Sequence, residues 1–330
     1  MDLSNTSITF ETQQTGSYNV CPNLKNVTLN NFTGSVKLSN CTTLSNLIMN
    51  GATLESLEIN PYKGNCNFSN VNIKKLKIIA DSENASFSLT NDPTITDIEL
   101  SGFTTVKISE CKNLKDIRLT GTLPTTLLVN NCTAGFDFSN INNDGTIDFS
   151  GVTDLTLSYC KFNSSITLIK GGDKLISINA TGSKNDNYYP DITFDLRNCN
   201  NLTKATFAST YAKKIYFNKI KVDGNNVVFS NGKMTNISGE LTITNNNGNT
   251  FIECDRLTDL GTIIFDSSVT NASGTFRNCG SLKNITSITI KGKLTNISRM
   301  CEGTAFTSSK LFAKALTDSA TTVTNMQACF

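Results

Sequence analysis

The chain has 330 residues, 17 % of them charged, and 29 Lys and Arg against 27 Asp and Glu leave a net charge of +2 at pH 7. That balance excludes the positive field of a nucleic-acid or anionic-membrane binder, and no apolar run reaches the ~18 residues of a membrane span. His is absent, which removes the commonest general base and the commonest metal ligand together.

Residues 1–20 contain one short alternating stretch, Ile8-Thr9-Phe10, and the polar run ETQQTGS, and read as an N-terminal cap or attachment segment. They show neither the basic start nor the apolar stretch of a secretory signal. From residue 21 to about 250 the chain is a succession of three- to five-residue alternating segments split by Asn, Ser, Thr and Gly. Examples are Val36-x-Leu38, Leu57-x-Ile59, Leu76-x-Ile78, Ile98-x-Leu100, Val106-x-Ile108 and Phe136-x-Phe138. Period-two alternation predicts strands, spaced about ten to twelve residues apart. Pro61 and Pro124 are expected between strands, where a missing N–H costs little.

One frame returns through this text. It reads Cys41-x-x-Leu44-x-x-Leu47, and again from Cys21 with Leu24, from Cys111 with Leu114, from Cys199 with Leu202 and from Cys279 with Leu282. Most gaps between the eleven cysteines lie near one or two multiples of a period in the low-to-mid twenties, and no CxxC pair occurs. Such regularity predicts stacked core thiols rather than zinc knuckles or a disulfide scaffold. Two strands per period of about twenty-two residues predict an all-β solenoid, an elongated parallel-sheet stack in which each strand pairs with its counterpart one coil on. No coil buries its apolar side alone, so neighbours complete the core. Asn and Thr at the corners suit turn backbone that no ladder satisfies.

Residues 183–190, SKNDNYYP, interrupt the pattern and predict a loop leaving the wall. Within it Asn187, Tyr188 and Tyr189 are candidate contacts for a sugar or a protein partner, since Tyr offers an apolar face with a polar tip. Beyond Cys199 the period lengthens and Met234-Thr235-Asn236-Ile237-Ser238 is echoed by Leu294-Thr295-Asn296-Ile297-Ser298, with Val269-Thr270-Asn271 and Val323-Thr324-Asn325 carrying the same core. Thr304 to Leu316 has helical spacing. Residues 269–285, VTNASGTFRNCGSLKNI, resemble the BspA-like leucine-rich repeat, which reads V-T-N, then Phe276, Cys279, Leu282 and Ile285 in this numbering. The resemblance covers 251–330 well, with the chain ending in mid-repeat, and residues 21–250 in degenerate form. It implies a right-handed solenoid of the leucine-rich-repeat type, used for surface recognition and adhesion in bacterial surface proteins, some protists and phage virions, and it implies no catalysis.

Residues that suggest chemistry have plainer readings. Asn140, Asn142, Asp144, Gly145 and Ile147 follow the early spacing of a calcium loop, but Gly151 stands where a bidentate Glu is needed, and a turn accounts for them. Lys213, Lys214, Tyr216, Lys219 and Lys221 alternate with apolar residues and predict a solvated strand face. Without His a nucleophile has no partner base. No catalytic residue, metal or cofactor is expected. The expectation is a non-enzymatic structural or recognition protein. Its first form is a phage virion fibre or decoration protein, assembled in the cytoplasm and contacting host-surface glycans or protein partners, as a homo-oligomer or filament. A bacterial cell-surface adhesin is the alternative, and a carbohydrate-cleaving tailspike-like enzyme is the distant one. Nucleic-acid binding and membrane insertion are not expected.

Overall fold

The computed structural model describes residues 7–9, 16–18, 23–122, 124–130, 132, 135–138, 146–158, 161–162, 166–182, 184–185, 192–245, 250–306, 309–318 and 323–329. It divides into two compact units, Met1–Ile141 with Cys160–Asn163, and Asn142–Tyr159 with Ser164–Phe330. Each is built as a parallel β-solenoid.

In the first unit, Gly16–Tyr18, Thr33–Ser39, Thr53–Tyr62, Asn72–Ala80, Asp97–Ser101, Asp116–Thr120 and Gly135–Phe138 form one wall. Of the strands between them in sequence, Cys66–Ser69, Ser86–Thr90, Thr105–Ser109 and Thr126–Asn130 belong to a second, while Asn26–Thr28 and Asn46–Ile48 form a separate three-stranded sheet with Ser7–Thr9. Chain neighbours therefore sit in different sheets, and each strand pairs in parallel with its counterpart a coil away. Ile98 lies against Ile117, nineteen residues on, and against Leu76, twenty-two residues back. In the second unit the first wall comprises Thr146–Phe149, Leu168–Gly171, Thr193–Leu196, Lys214–Val222, Asn236–Ile243, Asp259–Phe265 and Asn284–Ile290. Asp154–Ser158, Ser177–Asn179, Lys204–Thr206 and Val227–Val228 belong to the second. From Ile215 on the repeat lengthens, from twenty-two residues between Ile215 and Ile237 to twenty-five between Leu260 and Ile285 and twenty-nine between Asn296 and Asn325.

Inward residues stack in columns. Leu57, Leu76, Ile98 and Ile117 form one in the first unit, and Ile215, Ile237, Leu260 and Ile285 one in the second, all of them buried. The cysteine frame is the corner. At four of these corners a residue in the left-handed region precedes the thiol: Asn40 (φ 57°), Glu110 (φ 56°), Glu253 (φ 60°) and Asn278 (φ 58°). The Leu N–H three residues after each Cys then donates to the Cys carbonyl, at 3.0 Å for Leu44, 3.2 Å for Leu114 and Leu202, 3.1 Å for Leu257 and 2.9 Å for Leu282. Four of the buried thiols also donate. Cys41 reaches the Ser39 carbonyl and Cys111 that of Ser109, while Cys254 and Cys279 reach the previous coil at Phe229 and Phe251. A corner needs a small apolar residue with a weak donor, and Cys supplies both.

Two sequence equivalences are corrected by the corners. Cys41 and Cys199 each follow a strand of a first wall, whereas Cys111 follows a strand of the second wall and leads into the first, and Cys279 lies between two first-wall strands, Asp259–Phe265 and Asn284–Ile290. The frame marks a kind of turn rather than one place per coil, which is why the cysteine gaps are uneven. The Thr-Asn echo is likewise split. Asn236 lies within a wall strand, while Asn271, Asn296 and Asn325 pair with one another through isolated bridges. In this second set the Asn side chain accepts the N–H two residues on, as in Asn271 to Ser273 and Asn296 to Ser298. The Thr hydroxyls of Thr295 and Thr324 donate to the carbonyl one coil back. Pro61 also departs from expectation, lying inside Thr53–Tyr62 where the ladder to the next strand is irregular between Ile59 and Tyr62. The expected helix spans Ser309–Asp318 and rests Phe312 against Phe276, ring centroids 6.2 Å apart.

Candidate recognition surfaces

The outward middle residues of the first unit's wall strands form a column that alternates in sign. Lys37 faces Glu58, Glu58 faces Lys77, Lys77 faces Glu99, Glu99 faces Arg118, and the register continues to Asp137. Ammonium and carboxylate close to 3.0 Å in Lys37–Glu58 and in Lys77–Glu99, with all four side chains partly exposed. Every rung attracts both neighbours, and a slip by one coil would set like charges together, so the column specifies register as well as covering the wall. Lys77→Glu puts three carboxylates on successive rungs and is expected to lower stability by about 1–2 kcal/mol at low ionic strength. The loss should shrink in 0.5 M NaCl; an unfolding curve that shows no salt-dependent loss would contradict this role.

The second unit carries a cleft of about 640 Å³, lined by Asn200, Asn201, Leu202 and Thr203 on one bank and by Lys219, Ile220, Lys221, Glu240 and Thr242 among others on the opposite one. A widening of the wall makes it. Thr193–Leu196 pairs with Lys214–Phe217 alone, but the next strand runs on to Val222, and its far part pairs forward as Lys219–Val222 against Glu240–Ile243. The register shifts between Tyr216 and Lys219, and Gly239 (φ 111°) lies beneath the shift, where a Cβ would sit 2.2 Å from the Phe217 carbonyl oxygen. Gly261 repeats the constraint one coil on, 2.2 Å from the Gly239 carbonyl oxygen. Stacked bulges of this kind re-aim the chain and favour glycine.

Most of the repeat residues expected in the core are there: Leu24, Cys41, Leu44, Cys111, Leu114, Cys199, Cys279 and Leu282 are buried. Leu202 is not. It is half-buried because it lines the cleft. Cys21 and the candidate contacts Asn187, Tyr188 and Tyr189 lie outside the described residues, as do Asn140, Asn142, Asp144 and Gly145. The expected basic face divides. Tyr216 lies under the Arg197 guanidinium, 5.6 Å from the ring centre, and Arg197 is held by Asp195. Lys219 and Lys221 enter the cleft. No sequence pattern singled out Asn200 and Asn201, which owe their place to the Cys199 corner and to Asp173, whose carboxylate and carbonyl accept their amide N–H groups.

Nine described cysteines are buried, and no disulfide joins any two of them. Burial pushes the Cys199 and Cys301 thiols up to about 12 and Cys66 higher still. A thiol that ionises so late is a poor nucleophile. Iodoacetamide at pH 8 is therefore expected to leave these three unmodified in the native protein and to modify them in denaturant, as read by peptide mass spectrometry; prompt native labelling would contradict their burial. Compared with protein-family models, with curated proteins and with solved structures, the chain matches none.

Proposed function

We propose that this chain is a non-enzymatic structural and recognition protein, a virion fibre or decoration protein that presents its coil surfaces to host-surface glycans or to protein partners. The observation that carries the reading is that exposed chemistry is set out in rows, one side chain per coil, as in Lys37, Glu58, Lys77, Glu99 and Arg118. Repeat arrays use such extended surfaces for binding. Buried thiols with no disulfide between described cysteines suit assembly in a reducing cytoplasm, which favours a virion component over a secreted adhesin. The buried Phe276, Cys279, Leu282 and Ile285 support the leucine-rich-repeat type within the solenoid class.

Quantitative mass spectrometry separates the readings. Peptides of this chain in gradient-purified particles, at a fixed ratio to the major capsid protein, are the expected result. Recovery in the washed cell-surface fraction instead would establish the adhesin. Release of reducing sugars from host glycans by the purified chain would overturn the non-enzymatic reading.

A further inference from the structure

The Lys219–Val222 segment is an open sheet edge. It is paired on its forward side, and Thr244 N–H donates to the Val222 carbonyl there at 2.9 Å. Main-chain groups alternate sides along a strand, so those of Lys219 and Lys221 face the opposite way, into the cleft. On that side the preceding coil has already turned at Cys199, and no described strand pairs with the segment. Both lysines are exposed, two residues apart on one face, and among the described residues neither ammonium has an ion-pair partner. Across the forward ladder the rung facing Lys219 is Glu240, and the first unit's column shows opposite charge as the preferred neighbour of a lysine rung.

We propose that this cleft takes an extended acidic peptide segment of a partner protein, which adds to the open edge as a strand and sets carboxylates beside Lys219 and Lys221. Strand addition supplies main-chain hydrogen bonds for affinity and alternate side chains for specificity. The four edge residues span ~13 Å at ~3.3 Å each, so four or five partner residues suffice. Leu202, half-buried, offers apolar surface on the bank it shares with Asn200 and Asn201. The inference rests on the recognition reading and names the partner chemistry of one surface.

The test is fluorescence polarisation of the full chain with a labelled seven-residue peptide of alternating Glu and Val. Binding at low salt is expected, about tenfold weaker when an amide facing the edge is N-methylated. Lys219→Gln combined with Lys221→Gln should weaken binding about fivefold and leave the unfolding curve in place, because both side chains are exposed. Absence of binding would overturn the proposal and assign the lysines to keeping the edge unpaired. Equal binding of the N-methylated peptide, lysine-dependent binding of oligogalacturonate in place of the peptide, or a dimer abolished by the lysine variant would overturn it too. None of these results moves the chain out of purified particles, so the wider functional reading stands or falls separately.

Discussion

Phe229→Ala is expected to lower the unfolding free energy by about 3–5 kcal/mol. Phe229 is fully buried in a file of rings, its centroid 6.0 Å from Phe207 and 5.3 Å from Phe251, with interplanar angles of 5° and 2°. The file goes on to Phe276 at 5.6 Å, and Phe217 meets Phe229 edge-on at 6.0 Å. The main chain fixes this spacing: Phe207 N–H donates to Val228 and Phe229 N–H to Thr250 across the coils, at 2.8 and 2.9 Å. A cavity at this place cannot close by moving one ring without breaking a coil-to-coil ladder, so the cost should sit at the upper end for a lost phenyl. Phe229→Leu keeps most of the volume and should lose about 1–2 kcal/mol. Urea unfolding measures both; a loss below ~1 kcal/mol for the alanine variant would mean that the rings are not a shared core.

Asp92→Ala is expected to cost as much, about 3–5 kcal/mol, for a different reason. Asp92 is fully buried and occupies the place that Cys takes in the next coil, behind the left-handed Asn91 (φ 56°). Its carboxylate accepts the N–H groups of Ile73 at 2.9 Å, Thr94 at 2.8 Å and Ile95 at 3.1 Å, and the Thr94 hydroxyl at 2.8 Å. Alanine would strand three main-chain donors, two of them in buried bonds, where water does not replace the lost acceptor. Asp92→Asn keeps one acceptor oxygen and should lose about half as much. The same denaturation series decides the matter, and a near-neutral alanine variant would mean that solvent reaches this corner.

The parts of this fold legible in the sequence are those set by local alternation. Val36-Lys37-Leu38 and Leu57-Glu58-Ile59 show a strand with one face in and one face out, and the recurring Cys-x-x-Leu shows a turn followed by a strand. What the frame does not show is which corner it serves, because the same left-handed step and tight turn work at either side of the coil. Asp92 was hidden for a related reason: a carboxylate with four donors does the work of a thiol with one acceptor, and the two do not look alike as letters. The charge column is present in the letters but has no meaning strand by strand. The middle letters of successive strands run Lys, Glu, Lys, Glu, Arg, Asp, but their meaning depends on knowing that each strand pairs one coil on. The cleft was not readable. It arises where a long strand, Lys214–Val222, follows a short one, Thr193–Leu196, and strand ends are set by bulge and tertiary pairing more than by composition.

In-register stacking is tested most directly by cross-linking the outer wall. Glu58→Cys with Lys77→Cys, and separately Lys77→Cys with Glu99→Cys, place thiols on adjacent rungs ~4.8 Å apart, within the span of a disulfide. Mild oxidation followed by peptide mass spectrometry should find both bonds, and none in the control that joins Glu58→Cys to Lys75→Cys, two residues out of register. A bond in the control with none in the two matched pairs would contradict the coil-on-coil register from which the surfaces described above are derived.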